Sequence, residues 1–92
     1  DDLYNPRTGI GYSKDKTKVY MMVVDGRNTF SKGCTMKDFG EIFRSAGAWH
    51  AINLDGGGSS VMIVNNQVVN YPSDGSVRAV GNGVIVICQE NE

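Results

Sequence analysis

An α+β fold is predicted: a mixed or antiparallel β-sheet of five or six strands with one main α-helix at about residues 35–46. Three observations carry that prediction. Short runs of apolar and β-branched residues recur along the chain, separated by turn residues. Glycine is frequent, 12 in 92 residues, and most of the glycines stand at the ends of those runs, so the chain turns often. A single stretch has apolar residues at helical spacing, which sets one helix among strands rather than a regular alternation of the two.

The elements follow in order. Residues 1–8 read as irregular, because Asn5-Pro6 favours a turn and discourages helix before the proline. Gly9-Ile10-Gly11-Tyr12 reads as a strand, and the polar residues 13–18 as the loop of a hairpin. Val19-Tyr20-Met21-Met22-Val23-Val24 is a continuous apolar run, the pattern of a strand buried on both faces. After Asp25-Gly26-Arg27 and a polar loop, Thr35 is a helix N-cap with an acid three residues on. Met36, Phe39, Ile42, Phe43 and Ala46 share one helical face, Gly40 lies on the polar side, and Gly47 suits the C-cap. Trp49 and His50 lead into a short apolar run, residues 51–54, expected to carry the backbone inward. Val61-Met62-Ile63-Val64 and Gln67-Val68-Val69-Asn70 pair across an Asn65-Asn66 turn, since Asn tolerates left-handed backbone. Residues 71–75 form a turn cluster, and residues 76–83 are irregular. Val84-Ile85-Val86-Ile87-Cys88 is a last buried strand.

Size and charge narrow the function. Ninety-two residues with a net charge of −1 make a single domain or a fragment of a larger one. No basic cluster marks a nucleic-acid surface, and no apolar run reaches membrane-spanning length. Cys34 and Cys88 have neither CxxC spacing nor a nearby histidine, so a zinc site is not expected. They read as free or buried thiols, with a disulfide left open.

The stretch Asn53-Leu54-Asp55-Gly56-Gly57-Gly58-Ser59-Ser60 organises the chain. Glycines in a row allow a sharp bend or close approach of a ligand to the backbone. Successive N–H groups in such a bend can form an anion cradle, with the Ser59 and Ser60 hydroxyls at its rim. No lysine follows the glycines as a Walker loop requires. Two further polar clusters flank apolar runs: Asp25-Gly26-Arg27, and Ser73-Asp74-Gly75 with Arg78 and Asn82. Arginine presents a planar fork that matches phosphate oxygens, and a carboxylate beside it stays ionised. Each Asp-Gly taken alone is also an ordinary turn.

These motifs together resemble the phosphodiester glycosidase family. Asn5-Pro6-Arg7-Thr8, Val24-Asp25-Gly26-Arg27, the helix from Thr35 to Gly47, residues 51–60, Asn70-Tyr71-Pro72-Ser73-Asp74-Gly75 and residues 78–82 carry the resemblance. Around Arg78 the family reads Glu-Arg-Pro-Val-x-Asn, where this chain has Val77-Arg78-Ala79-Val80-Gly81-Asn82. The family's domain is longer, and the chain resembles its C-terminal half. The resemblance implies hydrolysis of a sugar 1-phosphodiester to free sugar and phosphomonoester. In that reading Arg27, Arg78, the backbone of Gly56, Gly57 and Gly58, and Ser59 neutralise phosphate. Asp55 or Asp25 serves as nucleophile, base or oxocarbenium stabiliser. Asp74 and Asn82 orient sugar hydroxyls, and Arg7 and Thr8 line the cleft.

No cofactor is implied. The partners expected are a phosphoglycoside or carbohydrate substrate, and a second copy or an N-terminal part for the exposed strand edges, with no nucleic acid and no membrane. The resemblance places the chain in an extracytoplasmic or secretory compartment. Two alternatives stand beside it. One is a metal-assisted phosphodiesterase, with Asp25, Asp55 and Asp74 around a divalent cation. The other is a non-catalytic carbohydrate- or phosphate-binding module.

Overall fold

The structure, a computed structural model, describes residues 3–75 and 83–87. Three antiparallel strands form the main sheet: β1 (Arg7–Tyr12), β2 (Val19–Val24) and β3 (His50–Asn53), in the order β2-β1-β3. The helix α1 (Met36–Ala46) lies between β2 and β3 in sequence, and a separate hairpin pairs β4 (Ile63–Val64) with β5 (Gln67–Val68). The architecture is therefore α+β, with antiparallel strands in two small sheets.

Register explains how the core forms. Gly9 stands opposite Met22 and Gly11 opposite Tyr20, so these residues share one face of the sheet. A Cβ on Gly9 would stand 2.8 Å from the rings of both Phe39 and Phe43. The two glycines of β1 thus leave a groove into which the helix presses its aromatic rings. Phe39 and Phe43 pack edge-to-face at 5.0 Å. With Cys34 they make the buried core, flanked by Tyr20, Met22, Val24 and Ala48. Burial of each ring stabilises by about 1.5–3 kcal/mol.

The helix ends as its sequence dictates. Thr35 Oγ1 accepts from the Asp38 N–H at 3.1 Å. Gly47, at φ 109°, closes the C-terminus. There the Ala48 N–H bonds Phe43 O and the Gly47 N–H bonds Arg44 O, both at 3.0 Å. Asn65 and Asn66, at φ 51° and 64°, make the tight turn between β4 and β5.

Several expectations are corrected. β1 begins at Arg7, two residues before the expected strand, because residues 7 and 8 pair with Val24 and Val23. β2 is buried on one face only: Tyr20, Met22 and Val24 meet the core, while Val19 and Met21 are exposed. No second layer covers that face among the described residues. The helical stripe is narrower than its pattern, with Phe39 and Phe43 buried and Ile42 and Ala46 exposed. β3 runs along the sheet edge with every residue exposed, rather than carrying the chain inward. The hairpin strands are two residues each, shorter than expected, since their side chains meet no core. Residues 84–87 are not a strand: they find no pairing partner among the described residues, and Ile85 and Ile87 are 85% and 81% exposed.

Candidate functional site

The first wall of the site is the turn that follows β2. Asn28 Oδ1 accepts from the backbone N–H groups of Phe30 and Ser31 at 2.9 and 2.8 Å. Ser31 Oγ donates to the Asp25 carbonyl at 2.6 Å. Within this tightly bonded turn Arg27 adopts φ 55°. Left-handed backbone costs a non-glycine residue about 1–2 kcal/mol. The side chain is aimed as a result: Arg27 Nη2 donates to Asn5 Oδ1 at 3.0 Å. Asn5 is itself fixed by a two-way backbone bridge to Cys34.

The glycine stretch makes the second wall. Beyond β3 the chain keeps following β1, with the Leu54 N–H on Thr8 O at 2.7 Å and the Gly57 N–H on Pro6 O at 3.0 Å. It then coils into a 3-10 turn over Gly57–Ser59. Gly57 has φ 59°, and a Cβ there would come within 3.2 Å of the Arg27 guanidinium. A Cβ on Gly58 would collide with the Asp74 carboxylate. So the glycines are needed for close approach: one admits an arginine, the next a carboxylate.

A third segment is fastened to the other two by side chains. Asn70 Nδ2 donates to Asp25 Oδ1 at 3.0 Å and to Ser60 O at 2.8 Å. Its Oδ1 accepts from the Met62 N–H at 2.8 Å. The Tyr71 N–H also donates to Asp25 Oδ1, at 3.0 Å.

Between these walls lies a cavity of about 310 Å³, lined by Asn5, Pro6, Arg7, Arg27, Asn53, Gly56, Gly57 and Gly58. All eight lie in the three motifs that the sequence marks around Arg7, Arg27 and the glycines. Asn5 and Asn53 belong to those motifs, but the sequence assigns their side chains no role. Arg7 is buried rather than presented at the rim: its Nε donates to Cys34 O at 3.0 Å and its Nη2 to Leu3 O at 2.8 Å. Thr8 and Ser60 bond each other, Thr8 Oγ1 to Ser60 Oγ at 3.0 Å, and Ser60 is 1% exposed. The Ser60 hydroxyl is therefore a structural contact and not a rim donor. Ser59 closes the 3-10 turn. Arg78, Asn82 and Cys88 lie outside the described residues.

The three candidate carboxylates have different surroundings. Asp25 is half-buried and hydrogen-bonded, Asp74 rests against Gly58, and Asp55 is exposed at the end of β3. None of them is in the cavity lining. Among the described residues no group of three His, Cys, Asp or Glu side chains converges, so these carboxylates do not form the cluster that the metal-assisted alternative needs. Cys34 is a free, buried thiol whose pKa burial pushes up. Trp49 and His50 stand apart from the cavity: Lys14 Nζ lies 4.7 Å over the Trp49 ring, and His50 stacks on Tyr12.

The chain is thus a small α+β unit with an arginine and a glycine turn around a polar cleft. The chain belongs to the phosphodiester glycosidase family, whose family model matches residues 2–87. It is 45% identical over 79 residues to the SPbeta prophage-derived uncharacterized protein YomE of Bacillus subtilis (strain 168), covering 86% of this chain and 12% of that protein. It is 33% identical over 73 residues to the N-acetylglucosamine-1-phosphodiester alpha-N-acetylglucosaminidase of Bos taurus, covering 79% of this chain and 14% of that one. Among solved structures it matches the catalytic domain of the zebrafish N-acetylglucosamine-1-phosphodiester alpha-N-acetylglucosaminidase, auto-inhibited by its pro-peptide, with a TM-score of 0.69 and 33% identity. That match covers 78% of this chain and 23% of the zebrafish chain. The chain thus spans a small part of the length of the relatives it matches.

Proposed function

We propose that this chain carries the phosphate-holding part of a site that hydrolyses the glycosidic bond of a sugar 1-phosphodiester, of the N-acetylglucosamine-1-phosphodiester kind, to free sugar and phosphomonoester. The observation that carries the reading is Arg27, held by Asn5 with its guanidinium against the Gly57 backbone. A phosphate monoester is a weakly basic leaving group, so its departure asks less of a general acid than an ordinary glycoside does. It asks instead for donors fixed where negative charge collects. Arg27 supplies a charged fork for that purpose, brought to the cleft wall by the bare Gly57 backbone.

The carboxylates divide the remaining work. Asp55 has no hydrogen-bond partner among the described residues, and its exposure leaves it available as nucleophile, base or oxocarbenium stabiliser. Asp74, beside Gly58, orients sugar hydroxyls at the cleft edge. Groups on the rest of a longer domain complete the site, in an extracytoplasmic compartment. The relatives named as glycosidases, of which this chain covers 14% or less, support that division.

The test is hydrolysis of a chromogenic-aglycone N-acetylglucosamine-1-phosphodiester, with free sugar and phosphomonoester both quantified, by the chain and by a longer protein that contains it. Arg27→Ala is expected to lower kcat/KM by about 100-fold, in line with loss of one preorganised donor to developing charge. Asp55→Asn is expected to abolish turnover, and chelator to leave it unchanged. Substrate binding without turnover in the longer protein overturns the glycosidase reading in favour of a binding module.

A further inference from the structure

Asp25 was expected among the reacting carboxylates, yet its surroundings are those of an anchor. Its Oδ1 atom accepts two hydrogen bonds, from Asn70 Nδ2 and from the Tyr71 N–H, both at 3.0 Å. Asn70 uses its whole amide: the two Nδ2 hydrogens go to Asp25 and Ser60 O, and Oδ1 takes the Met62 N–H. Three segments distant in sequence meet at this pair. They are the turn that carries Arg27, the end of the glycine stretch, and the chain that leads from β5 to Asp74. Each has a different route through the fold, and the β4–β5 hairpin brings no buried side chain of its own to hold it in place.

We propose that Asn70 and Asp25 form a clasp that sets the cleft, with Asn70 and Asp25 both positioning residues and Asp25 not a reacting group. The proposal rests on the phosphate-cleft reading above. It follows from the division of labour at the clasp. One end of the Asp25 link fixes the base of the Arg27 turn, and the other fixes residue 71, three residues before Asp74. The Ser60 link holds the glycine stretch to the same point. The clasp therefore sets the spacing of Asp74 to Arg27, Gly57 and Gly58, which are also tied to the segment before β1 by Asn5 and Pro6.

The chemistry of the pair gives variants that separate an anchor from a reacting carboxylate. Asp25→Asn keeps an oxygen that accepts from both Asn70 and Tyr71, with no change of shape. Asn70→Asp sets two carboxylates at hydrogen-bond distance and removes both donors. Because one oxygen, Asp25 Oδ1, serves both Asn70 and Tyr71, coupling is tested by removal: Asp25→Ala and Asn70→Ala are made singly and together. A reacting Asp25 would be destroyed in the first variant, and an anchoring Asp25 would not.

The experiment measures binding of dimethyl phosphate, a monoanionic diester, by NMR titration of each variant of the 92-residue chain, with amide hydrogen exchange at Tyr71 read in parallel. Asn70→Ala and Asn70→Asp are expected to weaken binding about tenfold, the scale of a lost hydrogen-bonded link. Asp25→Asn should bind within about twofold of the parent, and Asp25→Ala with Asn70→Ala should lose little more than either alone, the signature of direct coupling. In the longer protein, Asp25→Asn should keep most of the turnover. Loss of turnover in Asp25→Asn with binding intact overturns the proposal and returns Asp25 to the reacting groups. Loss of Tyr71 protection in Asn70→Ala without weaker binding overturns the positioning role. If the parent chain binds no dimethyl phosphate, the phosphate-cleft reading fails; the clasp then stands if Asn70→Ala loses the Tyr71 protection that Asp25→Asn keeps, and falls if it does not.

Discussion

Asp74 and Gly58 show how a single missing atom can define a site. The three atoms nearest to a Cβ on Gly58 all belong to the carboxylate of Asp74, an exposed residue. Gly58→Ala is therefore expected to cost less than about 1 kcal/mol of stability while displacing the carboxylate, since a surface side chain yields more easily than backbone. Activity should fall about tenfold or more, because small misplacements at a reacting centre are expensive. A denaturation midpoint and kcat/KM, measured on the same variant, check both halves. The turn after β1 offers a second residue-level test. Asp15 accepts from Ser13 Oγ, Thr17 N and Thr17 Oγ1, and these bonds, Ser13 first, hold its pKa down to about 2 from 3.8. A depressed carboxylate stabilises the folded turn above its unfolded pKa, and that contribution is lost as pH falls through about 2. A carboxyl NMR titration should find the low value, and Ser13→Ala should raise it toward 3.8. Residues of this kind were legible in part. The glycine run and Arg27 announced themselves by type, whereas Asn5, Asn53 and Asn70 did not, because asparagine in a loop reads as turn chemistry whatever its side chain holds.

At the level of elements, capping and turn chemistry were the reliable guides. Thr35, Gly47 and the Asn65-Asn66 pair act where their side chains and backbone preferences place them. Burial was harder to read, because an apolar run states what a strand can pack against and not what is present. Hence β2 carries six apolar residues and buries one face, and the apolar run at residues 84–87 is exposed. The clearest defect of an element is Gly40, in mid-helix and exposed. A Cβ there would meet nothing within 4 Å. Gly40→Ala is expected to stabilise the chain by about 0.5–1 kcal/mol through helix propensity and unfolded-state entropy. A chemical denaturation curve with unchanged m-value checks it.

At the scale of the whole molecule, the sheet has a packed side and, among the described residues, a bare one. The helix covers the Gly9 and Gly11 face. Ile10, paired with Met21 and Ile52, lies on the opposite face, where Met21 and Ile52 are 42% and 65% exposed. Contiguous apolar surface of this kind promotes association. The double variant Met21→Glu, Ile52→Glu is expected to reduce concentration-dependent association in sedimentation velocity and leave the helical circular dichroism unchanged. The α+β class and the motif order were legible because they depend on local pattern. The bare face was not, because it depends on what lies beside the sheet. One further consequence follows from how the β4–β5 hairpin is attached. Polar links at Asn70 hold it, with no share in the aromatic core, so it can open by itself at a free energy well below that of global unfolding. A ligand that needs the closed form sees only the closed fraction of molecules, and its apparent dissociation constant rises in inverse proportion to that fraction. Any contact that lowers the population of the open form, from substrate or from neighbouring polypeptide, would therefore tighten anion binding without touching the anion.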